Sequence, residues 1–213
     1  MHLSHDQIDR FYGIWKSLLI YVNRHKRLIS GLSDRPCDLT IHPRDAMVLR
    51  NVLWKDSALR AAYRAENPDG LAPQDIAIVE SWEDRQAGMF FIIKQLRPHA
   101  IVLDSRSPTT CYGVLGISDP LTLSVPFIPC MAEGVLLPWE DKIIYDSLLV
   151  TKSVHFGPGY RSSFNESYKE AKRARKIVTS LPAPPDRSEW GAPPSAAAAP
   201  RSSQERSGRS SRS

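Results

Sequence analysis

The hydrophobic period of this chain changes once, near Gly88, and that change constrains the fold more than any other feature of the sequence. Before it, apolar residues recur at three- and four-residue spacings, as in amphipathic helices laid on a core. After it, short apolar and β-branched runs alternate with turn residues, as in strands. Helices gathered ahead of consecutive strands predict an α+β fold with an antiparallel sheet. A doubly wound parallel sheet would need the two periods interleaved.

Four helices are expected in the first half. Ile8, Phe11, Trp15, Leu18, Leu19 and Val22 form one stripe from Ser4 to about Lys26. Ser4 with Gln7 is a capping-box pattern, and Arg24, His25 and Lys26 place positive charge at the negative end of the helix dipole. Pro43 and Asp45 open a second helix, with His42 as its start residue. Asp56 N-caps a third, which Asn67-Pro68-Asp69-Gly70 stops, and Pro73 opens a fourth. Trp15, Trp54 and Trp82 fall on the apolar sides and are expected in the core.

Five strands are expected next, over residues 89–96, 100–104, 110–117, 127–137 and 142–149. Their short connections predict a five-strand antiparallel meander, as an open sheet or a small barrel. Residues 132–150 hold its most apolar hairpin and need cover on both faces. Two apolar runs flank Pro138-Trp139-Glu140-Asp141-Lys142, a turn of about five residues that would expose Trp139. Phe156-Gly157-Pro158-Gly159 then leads into a closing helix from Ser163 to about Lys176, with Ser163 and Glu166 as its capping box.

This organisation makes residues 1–180 one α+β domain: 1–86 helical, 87–156 sheet, 157–180 closing helix. Residues 181–213 are dominated by Pro, Ala, Ser and Arg and are expected to be disordered, because they carry too little apolar surface to offset chain entropy. Hydrophobic content of 42% and charged content of 24% suit a globular chain. No apolar run approaches membrane-spanning length and no signal layout opens the chain, so no membrane partner and a cytoplasmic location are expected. Cys37, Cys111 and Cys130 lack any CxxC pairing, which fits a reducing compartment and implies no structural metal. No cofactor motif is present. The net charge of +5 is concentrated in residues 161–176 and in the tail.

Several phrases together resemble an uncharacterised family of prokaryotic cytosolic proteins: LWKDSALRAAYRAENPDGL (53–71), VESWEDRQAGMFFIIKQL (79–96), CYGVLGISDPL (111–121), GVLLPWEDKIIYDSLL (134–149) and SFNESYKEAKRARKIVTSLP (163–182). The resemblance covers roughly residues 8–182. It implies one folded domain and supplies neither an activity nor catalytic residues.

Three groups of residues carry potential chemistry. Gly157, Gly159, Arg161, Ser162 and Ser163 precede a helix, where free N–H groups, hydroxyls and a guanidinium could hold an anion; the bland reading is a turn with a solvated arginine. Asp104, Glu133, Asp146 and His155, with Tyr145, could serve as acid and base if the sheet brings them together; structural ion pairing is the competing reading. Arg201, Arg206, Arg209 and Arg212 in the tail could contact nucleic-acid phosphates, or could simply be solvated. The expected function is a non-enzymatic cytosolic binding or regulatory module with a protein or nucleic-acid partner. The alternative is a hydrolase or phosphate-ester-acting enzyme using the sheet carboxylates and the 157–163 turn.

Overall fold

A computed structural model describes residues 1–33 and 41–182. Residues 183–213 of the predicted tail, with Arg201, Arg206, Arg209 and Arg212, lie outside the described residues, as does Cys37. Leu181, where that tail is expected to begin, is buried in the main core.

The helices begin where their caps dictate. In α1 (His5–Lys26) the Gln7 N–H donates to the Ser4 hydroxyl while the Ser4 N–H donates to the Gln7 side chain at 3.2 Å, the reciprocal pair of a capping box. α2 (Pro43–Lys55) starts with proline in its first turn after His42, whose Nδ1 accepts the Arg44 N–H. The Asp56 carboxylate caps α3 (Ser57–Glu66) by accepting the Leu59 N–H at 2.9 Å. α4 (Pro73–Ser81) again opens on proline and runs into a short 3₁₀ turn, Trp82–Asp84.

The helices pack around aromatic rings. Trp15 stacks on Trp54 with centroids 5.6 Å apart and meets Trp82 edge-on at 6.1 Å. Such pairs add about 0.5–1.5 kcal/mol each beyond their burial.

The sheet corrects the expectation of five antiparallel strands. Among the described residues there are seven, and the sheet is mixed: β1 (Gln86–Gln95), β2 (Ala100–Asp104), β3 (Cys111–Val114), β4 (Cys130–Trp139), β5 (Lys142–Tyr145), β6 (Val150–Lys152) and β7 (Ile177–Val178). β3 runs parallel to both β5 and β7. β1 pairs with β2 on one side and with β4 on the other, so β1-β2-β3-β5-β4 closes on itself. That circuit is a five-stranded Greek-key barrel, with β6 and β7 added along β4 and β3. The meander fails because the chain leaves β3 through the 3₁₀ turn Leu121–Ser124 and returns across the barrel to β1, not to its neighbour.

Register decides which side chains point inward. Phe90 pairs with Asp104 and with Ala132, placing these three on one face, while Phe91 pairs with Leu103 on the other. The inward face joins the main core with the helices through Phe90, Ile92, Val102, Tyr112 and Ala132. The outward face of β2 and β3 forms a second core, in which Ile101, Leu103 and Cys111 pack under Phe164 and Tyr168 of α5 (Pro158–Arg173).

The 134–149 hairpin is covered on both faces as expected, but its turn differs. Trp139 pairs with Lys142 across Glu140 and Asp141, so the turn has two residues, not five. Glu140 takes the left-handed φ of 54° that such tightness requires. Trp139 therefore belongs to the strand and is fully buried, edge-on to Phe11 at 5.7 Å, not exposed. The Pro138 carbonyl accepts from Trp82 Nε1–H at 3.1 Å.

The closing helix also starts earlier than predicted. It begins at Pro158 with Gly157 as N-cap, and Ser163 sits in its second turn, so Ser163 and Glu166 form no capping box. Proline in the first turn sets the start five residues ahead of the serine. The helix ends at Arg173, and residues 177–178 are strand.

Candidate functional site

Where β5 ends, the chain is tied to the helical layer. The Asp146 N–H donates to the Val135 carbonyl at 3.0 Å, which turns its side chain toward α2. That carboxylate has no solvent exposure and accepts four hydrogen bonds: Arg50 Nε at 2.6 Å, Arg50 Nη2 at 3.4 Å, Trp54 Nε1 at 2.9 Å and the Leu148 N–H at 3.3 Å. Arg50 Nη2 also donates to the Leu148 carbonyl at 3.3 Å. Burial pushes the Asp146 carboxyl above the usual range, and the Arg50 guanidinium, Trp54 and the Leu148 N–H pull it back. The residues after β5 are thus held rigidly against α2.

A cavity opens beside this anchor. Its volume is about 390 Å³, within the range of small-molecule sites, and it lies between α1, the start of α2 and the segment after β5. Tyr12, Trp15, Lys16 and Leu19 face it from one stripe of α1, since residues three and four apart share a helix face. Ile41, Ala46 and Leu149 supply further apolar wall. Beside Lys16, its side-chain polar groups come as two hydroxyl pairs: Tyr12 with Ser147 at 3.2 Å and Tyr145 with Ser124 at 3.2 Å. Ser147 is held at a φ of 70°, uncommon for a residue with a side chain. Burial raises the Tyr145 hydroxyl pKa, so it stays protonated at neutral pH. A second cavity of about 680 Å³ shares Tyr12 and Lys16 with the first and is bordered by Asp9 and Asp69.

The residues singled out from the sequence are dispersed. Asp104 is buried at the barrel rim and accepts the Arg106 N–H and Nε–H, both at 2.8 Å. Glu133 is exposed and pairs with Lys152 at 3.3 Å. Asp104 pairs in register with Phe90 and Glu133 with Met89, so the two acids lie on opposite faces of the sheet. His155 is exposed and stacks on Phe127 at 4.8 Å. None of Asp104, Glu133, Asp146 and His155 lines either cavity; Tyr145 lines the first.

The predicted anion turn is wholly at the surface. Gly157 and Gly159 straddle the first residue of α5, Arg161 Nε donates to the Phe156 carbonyl at 3.0 Å, and the Ser162 hydroxyl donates to Glu166 at 3.3 Å. Ser163 is exposed one turn further on.

Sequence reasoning missed Arg50, Tyr12, Lys16, Ser124 and Ser147. Arg50 was detectable: it follows Ala46 by four residues on the buried side of α2, where a charge must find a partner. Ser124 and Ser147 come from irregular segments without a period.

Among the described residues, no group of three or more His, Cys, Asp or Glu side chains is placed to hold a metal ion. No described helix is long and apolar enough to cross a membrane. Fold and site together define a Greek-key barrel clamped to a helical layer, with a cavity at the junction. Compared with family profiles, curated proteins and solved structures, the chain finds no match.

Proposed function

We propose that the protein is a non-enzymatic binding module whose ligand seat is the cavity between α1, α2 and the segment after β5. One observation carries this reading. Among the described residues, the cavity is lined by aromatic and aliphatic walls with hydroxyls and one ammonium, and by no Asp, Glu, His or Cys. A serine or tyrosine hydroxyl needs an adjacent base to act as a nucleophile. Among the described residues no carboxylate, imidazole or thiol lines this cavity, and Lys16 makes no hydrogen bond to its hydroxyls. The acids that could act as bases are spent elsewhere: Asp146 on Arg50, Asp104 on Arg106, Glu133 on Lys152.

A second consideration favours a small ligand over an oligonucleotide on the barrel. Barrels of the OB type take up oligonucleotides on the face of their second and third strands. Here that face is buried under α5 by Phe164 and Tyr168.

The test is a panel of small amphipathic molecules screened against the full chain by thermal unfolding. A ligand at a hundred times its Kd stabilises the native state by about 2.7 kcal/mol. The reading expects binders that are recovered chemically unchanged. A compound that is turned over, with turnover lost in Asp104→Asn or Glu133→Gln, would contradict it.

A further inference from the structure

We infer that this cavity takes a monocarboxylate carried on an apolar body, with Lys16 reading the charge. The inference rests on the binding-module reading above and adds the chemistry of the ligand.

Each hydroxyl pair, Tyr12 with Ser147 and Ser124 with Tyr145, shares a single hydrogen bond between two O–H groups. One proton in each pair closes that bond, and the other remains to be donated. Lys16 is half-buried, lines the cavity, and makes no ion pair with any described residue. The cavity therefore offers two spare O–H donors and an ammonium, with no carboxylate among its described lining residues. Such a set is matched by a group that only accepts and carries negative charge.

Lys16 is the one cation among the described lining residues, which matches a ligand of single negative charge. A dianion such as a phosphate monoester would leave a charge uncompensated, beside an Asp146 already neutralised by Arg50. The rest of the lining sets the body. Trp15, Leu19, Ile41 and Ala46 offer only apolar contact, so the remainder of the molecule is hydrocarbon or aromatic.

The seat is also prearranged. Asp146 is fixed by four hydrogen bonds, and its neighbour Ser147 is held in a left-handed conformation that aims its hydroxyl at Tyr12. A residue held in that region points to a surrounding structure that imposes it. Little ordering of this segment is left for a ligand to accomplish.

The experiment is isothermal titration of the full chain with octanoate and with octan-1-ol, which share a chain and differ in charge. Octanoate is expected to bind at least tenfold more tightly than octan-1-ol. Lys16→Met, at a half-exposed position, should abolish that preference while leaving octan-1-ol binding and the thermal midpoint unchanged. Ser147→Ala, which removes one donor, should weaken octanoate several-fold and octan-1-ol not at all. Equal binding of the two probes, or no effect of Lys16→Met, overturns the carboxylate assignment and leaves the binding-module reading standing. Saturable heat from neither probe overturns both.

Discussion

Arg50 Nε lies 2.6 Å from Asp146 Oδ2, and this pair joins α2 to the residue after β5 out of reach of solvent. It is one of the points at which the helical layer and the barrel are fastened, with Trp82 on Pro138 and Arg10 on Glu140. Removing one partner of such a pair leaves an uncompensated buried charge, which costs about 3–5 kcal/mol. Asp146→Leu alone and Arg50→Met alone should each cost that much in urea unfolding. The double substitution should recover most of the loss, because both charges then leave together. Additive losses in the double variant would show that the two side chains do not act as a pair.

Glu83 gathers three arginines at the junction of α3 and α4. It accepts from Arg60 Nε at 3.0 Å and Nη2 at 2.8 Å and from Arg85 at 3.2 Å, with Arg64 at 3.6 Å. The Arg60 guanidinium, with Arg85 and Arg64, holds its carboxyl below the ordinary value of 4.5. A lowered folded pKa adds stability that is fully present above the ordinary value and lost as pH falls through the lower one. Stability of the native chain should therefore drop more steeply below about pH 4.5 than that of Glu83→Gln. Urea midpoints from pH 3 to 7 check this, and parallel curves would contradict it.

Two glycines should respond to alanine with opposite sign. At Gly116 an added Cβ would collide with the Asp119 carbonyl oxygen, a backbone atom that cannot swing away. Gly116→Ala should lose at least about 1–3 kcal/mol, as overpacking does. Gly13 lies within α1 with nothing within 4 Å of the added carbon. There Gly13→Ala should gain about 0.5–1 kcal/mol from helix propensity. Thermal midpoints of the two variants distinguish the cases.

Cys111 and Cys130 should be inert in the folded protein. Burial pushes the Cys111 thiol up to about 11 and raises that of Cys130 as well. The thiolate is the reactive form, so neither should be alkylated by iodoacetamide at pH 8 until the chain is denatured. Peptide mass mapping after labelling tests this residue by residue.

The helical half was legible in the sequence because its signals are local. Ser4 with Gln7, Asp56, Pro43 and Pro73 each act within one helical turn, and all four helices start where these residues say. The barrel was not, because it closes through β1 with β4, a pairing of residues 38 to 50 positions apart that leaves no periodic trace. β6 and β7 have three and two residues, too few for an alternation to show. Trp139 was misplaced because Pro138 and the charged run after it imitate a loop, while tertiary contacts with Trp82 and Phe11 hold the segment as strand. The site was the least legible part. Asp146 was singled out as an acid near an apolar face, but its partner Arg50 is 96 residues away.

The central claim, that the junction cavity is the ligand seat, is tested most directly by amide chemical shifts. The full chain would be titrated with octanoate, beside an Ala46→Trp variant whose larger ring fills the cavity from α2. The account predicts shifts confined to Tyr12, Trp15, Lys16, Ala46, Ser147 and their neighbours in the native chain, and their loss in the variant. Shifts centred elsewhere, or unchanged in Ala46→Trp, would contradict it.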